Sequence, residues 1–197
     1  MRELKMKKIV IIACFVTPLL ILGVLGLTYW TSHNTLVKLD VACDTQLSEI
    51  DNMLKRRADL MPNLVNTVKG YAKHEKDIFI GIAEARAKIG SAKTVKQKSM
   101  AASMMDSALS KLLVVVERYP DLKANQNFIR LQDELTGTEN RIAVARTRYN
   151  EAVKSYNTAI RQMFKSIIAN MQGYEKRDFF EIENPADKEV PKVDFGA

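Results

Sequence analysis

The most conspicuous feature of the hydrophobic pattern is an uncharged run at residues 9–30, IVIIACFVTPLLILGVLGLTYW. As an α-helix, these 22 residues rise about 33 Å, which is enough to cross a bilayer core of about 30 Å. Pro18 and Gly23 are tolerated in transmembrane helices, and Tyr29 and Trp30 suit the headgroup zone at the end of the run. The pattern therefore predicts a single transmembrane anchor rather than a buried core helix.

Two processed forms of this run fit its sequence less well. A cleaved signal peptide has an apolar region of about 7–15 residues followed by small residues at the cut, whereas this run is longer and ends in LTYW. A lipoprotein site at Cys14 would have only five apolar residues before the cysteine. We therefore expect an uncleaved anchor, in which Cys14 is an inert apolar residue.

Beyond the anchor, apolar residues recur with helical spacing up to about residue 89. Positions seven residues apart form series typical of long helices that pack along their length. These positions are Leu36, Cys43, Ile50, Leu64, Tyr71 and Ile78, and the companions Leu47, Leu54, Met61 and Val68.

Pro62 interrupts the pattern, because proline removes a hydrogen bond and clashes with the preceding turn. The unbroken register favours one kinked helix, whereas element lengths of about 27 residues favour a turn in a compact bundle. We favour the turn and leave the kinked helix open.

Two further helical segments follow. Residues 94–119 carry an apolar stripe, and Tyr119-Pro120-Asp121 forces a boundary, with Asp121 as the candidate cap of the next helix. The last long helix is predicted from about residue 123 to 163, with core positions at intervals of seven: Phe128, Leu135, Ile142, Tyr149, Tyr156 and Met163. The hydroxyls of Tyr149 and Tyr156 are expected to find polar partners on neighbouring helices.

The predicted fold class is therefore all-α. A single N-terminal transmembrane helix at residues 9–30 is followed by an antiparallel bundle of long helices, four-helix-like, at residues 31–181. Residues 182–197 contain two prolines and no periodicity, which predicts a disordered C-terminal tail.

Charge sets the expected orientation of the anchor. Residues 1–8 carry four basic side chains, Arg2, Lys5, Lys7 and Lys8, against one acid. The positive-inside rule therefore predicts a cytoplasmic N-terminal tail and an exported bundle. The chain has a net charge of +7, but this tail accounts for +3 of it. The remaining +4 is spread over a mixed surface, which argues against nucleic-acid binding.

Candidate chemistry is sparse. With Cys14 in the membrane, Cys43 has no partner for a disulfide, and His33 and His74 are far apart in sequence, so no metal site is predicted. The chain contains no HExxH motif, no phosphate loop and no ordered Ser/His/Asp set. No cofactor and no catalytic residue are expected.

Ten polar residues form the candidate interaction or structural set: Arg56, Arg57, Asp59, Asn63, His74, Glu75, Arg118, Asp121, Asn140 and Arg146. Those around Pro62 are best explained as residues of a helix end, with a polar docking surface as the alternative. His74 and Glu75 are neighbours and point to different sides of a helix, which disfavours an acid–base pair. Asn140 and Arg146, together with Glu139, interleave with the seam of the last helix, where ion pairs between helices would set the register.

Four blocks of this sequence resemble the LemA family, and the resemblance covers about residues 34–181. The blocks are LKRRADLMPNLVNTVKGYAKHE at 54–75, AEARAK at 83–88, RYPDLKANQNFIRLQDELTGTENRI at 118–142 and ARTRYNEAVKSYN at 145–157. Phe164 and Lys176 stand where proline is common in the family, which suggests a straighter end to the last helix. The resemblance implies a bacterial, membrane-anchored helical bundle and brings no reaction with it. Specialised members of the family look tied to the formation of magnetosome membranes.

Two functions from different classes follow. The first is a non-enzymatic scaffold or interaction protein in the bacterial inner membrane or an organelle membrane derived from it, with magnetosome-type membrane biogenesis as a variant. Its expected partners are the bilayer, through residues 9–30, and another membrane protein, while homo-oligomerisation stays open. The second is a membrane-tethered hydrolase using His74 with Glu75 or Glu84, which helix spacing does not favour.

Overall fold

The computed structural model describes residues 2–72 and 74–181, with side chains from residue 16 onward. Across these residues the chain is helical and contains no strand, so the all-α prediction is confirmed. The helices are α1 (Arg2–Lys69), α2 (Lys76–Ser91), α3 (Val95–Val116), α4 (Pro120–Lys123), α5 (Gln126–Ala159) and α6 (Met163–Gln172). The predicted disordered tail, residues 182–197, lies outside the described residues.

The α1 helix continues through Pro62 without a break, so the prediction of a turn there is wrong. The seven-residue register was the better guide, because Met61 and Leu64 on either side of Pro62 are fully buried. A proline inside a helix costs about 3 kcal/mol, through the lost hydrogen bond and the clash of its ring, and burial of these two large side chains offsets a cost of that size. The chain reverses later, where Ala72 donates a 2.9 Å hydrogen bond to the carbonyl of Val68.

The described chain divides into two compact units. The first unit comprises residues 2–43 and Lys154–Arg177, and the second comprises Asp44–Val153 and residues 178–181. The core of the first unit contains Leu36 of α1, Ala159 of α5, and Ile168 and Ala169 of α6. These side chains hold α6 against α1.

The second unit is built around a core shared by α1, α2, α3, α4 and α5. Its buried members include Met61, Ile82, Met105, Leu122 and Phe128.

Polar contacts between the helices of the second unit show their relative directions. Asp51 and Arg57 of α1 pair with Lys98 and Asp106 of α3, so α1 and α3 run parallel. Arg57 also pairs with Glu139 of α5. The Tyr71 hydroxyl of the turn after α1 accepts a 3.0 Å hydrogen bond from the Asn125 side chain just before α5, so α5 runs antiparallel to both α1 and α3. The short connection between α2 and α3 makes those two helices antiparallel as well. Four long segments therefore alternate in direction around this core.

The last long helix ends earlier than its periodicity predicts. The α5 helix stops at Ala159, where Gln162 donates a 3.1 Å hydrogen bond to the Ala159 carbonyl and closes a turn. Met163, predicted as the sixth core position, begins α6 instead and is 73% exposed. The helix therefore does not run straight to its end as the family comparison of Phe164 suggested. Gly137 does not interrupt α5, and the α6 helix ends at Gly173, whose φ of 72° favours glycine.

The apolar run at residues 9–30 is helical as part of α1, but the side chains of residues 9–15 lie outside the described part. Among the described residues, α3 has the length and composition to cross a bilayer, and 44% of its most apolar stretch is buried. Ala101, Met105 and Leu112 of α3 lie in or beside the core of the second unit, which is the behaviour of a core helix. An N-terminal transmembrane helix therefore stays a prediction.

Candidate functional site

The first candidate site is a charged cluster, defined by Arg57 of α1, Asp106 of α3, and Glu139 and Arg146 of α5. The Arg57 side chain is buried, and its Nη1 lies 2.6 Å from Asp106 Oδ1, an ion-pair distance without hydrogen-bond geometry. The same nitrogen donates to Glu139 Oε2. The buried Arg57 is thus paired with carboxylates from two other helices, as a buried charge requires. The positive charge of Arg146 is close enough to act on Asp106.

Burial dominates the electrostatics of Asp106. It raises the pKa of the Asp106 carboxyl above its ordinary value of 3.8, and the negative charge of Glu139 raises that pKa further. The positive charges of Arg57 and Arg146 lower it, without cancelling the effect of burial. Because the pKa is raised in the folded state, folding becomes less favourable as the pH rises above 3.8 and Asp106 ionises. The cluster therefore specifies how the helices align at some cost in stability.

This arrangement agrees with the interpretation of Glu139 as a residue that pairs between helices, and it gives Arg57 the same role. Arg57 was instead predicted to belong to a helix end, because α1 was expected to turn near Pro62. Asp106 was not among the predicted residues at all. Its only sequence signal is an acid in the apolar stripe of α3.

A second polar contact lies at the connection between α1 and α2. Arg118 Nη2 donates to Glu75 Oε1 at 3.0 Å, and the Tyr119 hydroxyl lies 3.4 Å from the same oxygen. His74 is exposed beside it. The carboxylate of Glu75 is therefore held in a structural ion pair, which ties this connection to the end of α3.

The other predicted residues are not brought together. Arg56, Asp59, Asn63 and Asn140 are exposed on their helices. Asp121 is not a cap. It lies in the first turn of α4, where the helix dipole stabilises a negative charge. The residue that caps α5 is Asn125, whose side-chain oxygen accepts hydrogen bonds from the backbone of Asn127 and Phe128.

In the first unit, side chains of α5 bind the extended chain that follows α6. The Tyr156 hydroxyl donates to the Glu175 carbonyl at 3.0 Å. Asn157 donates to the Arg177 carbonyl at 2.9 Å and accepts from the Arg177 backbone N–H at 3.0 Å. The Arg177 guanidinium donates to Asp40 from two nitrogens, at 3.0 and 2.8 Å, and lies 5.6 Å from the centre of the Tyr156 ring. Burial and the nearby charge of Asp40 raise the pKa of Tyr156, so its hydroxyl stays a donor.

In the second unit, α5 makes the same set of bonds to the residues that come next. The Tyr149 hydroxyl donates to the Asp178 carbonyl at 2.9 Å. Asn150 donates to the Phe180 carbonyl at 3.1 Å and accepts from the Phe180 N–H at 2.8 Å. The Phe180 ring is buried, and Ser99 of α3 donates to the Glu181 carbonyl.

These two sets repeat with matched periods. The tyrosines and asparagines recur seven residues apart on α5, a rise of about 10.5 Å, while their partners recur three residues apart, about 10 Å of extended chain. Each asparagine side chain pairs with the backbone N–H and carbonyl of one residue, as a neighbouring strand would.

We call residues 174–181 the C-terminal strap. The tyrosine hydroxyls were predicted to bond to neighbouring helices, and that prediction is wrong, since their partners are carbonyls of the strap. The Tyr-Asn pair that occurs twice in RYNEAVKSYN is the sequence signal from which these contacts with the strap could have been identified.

Among the described residues, no three His, Cys, Asp or Glu side chains are grouped so as to hold a metal ion. The fold and these contacts define an all-helical bundle protein whose last long helix binds its own C-terminal strap. The LemA family model matches residues 46–195 of the chain. The chain belongs to the LemA family, which confirms the resemblance identified from the sequence blocks.

Curated relatives are similar over most of the chain. The magnetosome protein MamQ 2 of Paramagnetospirillum magneticum is 27% identical over 180 residues, covering 78% of this chain and 66% of the relative. MamQ of Magnetospirillum gryphiswaldense is 26% identical over 180 residues, which cover 78% of this chain and 66% of that protein. Protein LemA of Metamycoplasma hominis is 24% identical over 177 residues, covering 89% of this chain and 78% of that protein. The chain thus spans 66% of the length of the MamQ proteins.

Proposed function

We propose that this protein is a non-enzymatic scaffold held in a bacterial membrane by residues 9–30. The observation that carries the proposal is the exposure of the apolar side chains at residues 16–30. Ten large apolar or aromatic side chains there are 44–73% exposed: Val16, Leu19, Leu20, Ile21, Leu22, Val24, Leu25, Leu27, Tyr29 and Trp30. An apolar surface of this extent around a helix is unfavourable in water and is suited to lipid.

The hydroxyls of Thr28 and of Thr31, just after the run, are compatible with a lipid environment. The Thr28 hydroxyl donates to the carbonyls of Val24 and Leu25 at 3.0 and 2.9 Å, and the Thr31 hydroxyl donates to the Leu27 carbonyl at 2.9 Å. Hydroxyls that bond to their own helix need no water. This is how polar side chains are accommodated in a transmembrane helix.

Interaction rather than catalysis is proposed because the charged side chains that come together in the bundle are used in structural pairs. Arg57 and Glu139 connect α1 to α5, and Glu75 is held by Arg118. A hydrolase would need the Glu75 carboxylate free to accept a proton near its substrate. The exposed polar residues of the bundle, such as Arg56 and Asn140, would contact a partner membrane protein.

We further propose that the N-terminus is cytoplasmic and the bundle is exported, on the basis of the four basic residues before the run. A second candidate function is a part in forming a specialised membrane. The relatives named as magnetosome proteins support it, at 26–27% identity.

Crosslinking of spheroplasts tests the partner and the orientation together. Two amine-reactive reagents of equal length are applied to cells expressing the full chain, one able to cross the membrane and one unable. We expect both reagents to join the protein to a partner, giving the same larger species. A product with the permeant reagent alone would contradict the orientation and leave the scaffold standing. Recovery of the monomer alone with both reagents would contradict the scaffold.

A further inference from the structure

We propose that α6 is an interfacial helix that rests on the surface of the membrane crossed by residues 9–30, with one apolar face inserted between the lipid headgroups. This inference rests on the proposed anchor and adds a second membrane contact to it.

The α6 helix has an apolar face with no partner among the described residues. Met163, Phe164, Ile167 and Met171 are 73, 62, 58 and 73% exposed. At 100° per residue these four positions fall within an arc of about 100°. Four large side chains on one stripe form a continuous apolar patch, which water disfavours.

The neighbouring face of α6 explains how the helix is held. Ile168 and Ala169 are buried, and they share the core of the first unit with Leu36 of α1 and Ala159 of α5. The helix is thus attached to the protein by one apolar stripe while the other faces away. A short helix that served only to fill the core would need the first stripe alone.

The position of α6 along α1 is near the expected membrane surface. Leu36 follows Trp30 by six residues, a rise of about 9 Å. The headgroup zone on one side of a bilayer is about 5–8 Å thick, and a helix with its side chains is about 10 Å across. The apolar stripe of α6 therefore lies within reach of the headgroup zone in which Tyr29 and Trp30 are expected.

The charge of this region favours lipid as the occupant. Residues 161–174 contain no Asp or Glu, while Arg161 and Lys165 are basic. An amphipathic helix with an apolar stripe and an excess of basic over acidic residues binds bilayers that carry anionic lipids. The stripe is exposed in the unit that also contains the exposed residues 16–30, so both apolar surfaces would be covered by one bilayer.

Spin labelling of the full chain in liposomes of neutral and anionic phospholipid tests this inference. Cys14 and Cys43 are replaced by alanine, and single cysteines are placed at Ile167 on the apolar stripe, at Gln172 on the opposite side of α6, and at Leu22 within the anchor. Gln172 is exposed, so it is the matched control for Ile167. Collision with oxygen, which partitions into lipid, is compared with collision with a water-soluble nickel chelate.

We expect the label at 167 to resemble the label at 22, with strong oxygen collision and nickel collision several-fold lower than at 172. If 22 faces lipid but 167 matches 172 in nickel collision, the interfacial helix is wrong and the anchor stands. A label at 167 shielded from both reagents would mean that protein covers the stripe, which also overturns the inference. Nickel access at 22 would overturn the anchor and the inference with it.

Discussion

Arg57 is the residue that joins three helices of the second unit by ion pairs. Its guanidinium is buried and faces carboxylates from two other helices, Asp106 and Glu139. A buried cation with two acidic partners fixes the relative positions of α1, α3 and α5, because any sliding would separate the charges. Removing it leaves Asp106 without its nearest counter-charge.

Replacing Arg57 by methionine is expected to lower the free energy of unfolding by about 2–4 kcal/mol, since about a third of each partner carboxylate is exposed and water screens part of the loss. Asp106 already has a raised pKa, and loss of Arg57 raises that pKa further. The deficit should therefore grow as the pH rises above 3.8.

Urea unfolding of the full-length variant in detergent, followed by circular dichroism at several pH values, measures both effects. Arg56→Met is the control, because Arg56 is exposed and adjacent, and it should change stability by no more than about 0.5 kcal/mol. Equal losses in the two variants, or a deficit independent of pH, would contradict the assigned role.

The sequence pattern predicted that polar residues of α5 form ion pairs between helices, but it did not predict which residues they pair with. Glu139 was predicted to pair across helices, because it interrupts a regular apolar seam. Its partner Arg57 and the third member Asp106 could not be deduced, since they lie 82 and 33 positions away in the sequence and come together only after the helix directions are set. The hydroxyls of Tyr149 and Tyr156 were likewise predicted to need partners. The strap that supplies those partners could not be identified, because its sequence has no periodicity of apolar residues.

At the scale of elements, a period of seven located the long helices and misjudged the end of one of them, α5. The register across Pro62 correctly indicated one helix, and the argument from element length was misleading because α1 is shared between the first and second units. The same period extended α5 to Met163. Nothing in the spacing of apolar residues marks the end at Ala159, because apolar residues continue in α6, which begins after only three residues.

The strap provides a prediction at this scale. Replacing Asn150 or Asn157 by alanine removes two hydrogen bonds to the strap backbone and leaves a polar group without its partner, at a cost of about 1–3 kcal/mol. Hydrogen exchange should become faster in residues 178–181 for Asn150→Ala and in residues 174–177 for Asn157→Ala, measured by mass spectrometry on the full chain.

Asn140→Ala is the matched control, because Asn140 is an exposed asparagine on the same helix. Its exchange in residues 174–181 should equal that of the wild type. If the asparagines of the Tyr-Asn pairs behave like Asn140, the strap is held by something other than these side chains.

At the scale of the whole molecule, the apolar surface distinguishes two kinds of helix. The α3 helix is apolar enough to cross a bilayer and is a core helix of the second unit, whereas residues 16–30 of α1 are apolar and exposed. The function proposed for this LemA family member depends on that difference. If residues 9–30 hold the chain in a bilayer, charges placed there will release it, and charges placed on an exposed part of α3 will not.

The most direct measurement is retention in the membrane fraction after an alkaline carbonate wash. The full chain is compared with a variant carrying Leu20→Arg and Leu22→Arg and with a control carrying Leu113→Arg and Val114→Arg, which are 42% and 71% exposed on α3. Each arginine at the centre of a transmembrane helix costs about 3 kcal/mol. We expect the wild type and the α3 variant to stay in the pellet and the anchor variant to move to the supernatant. Wild-type protein in the supernatant, or equal retention of the anchor variant and the wild type, would contradict a membrane-anchored scaffold.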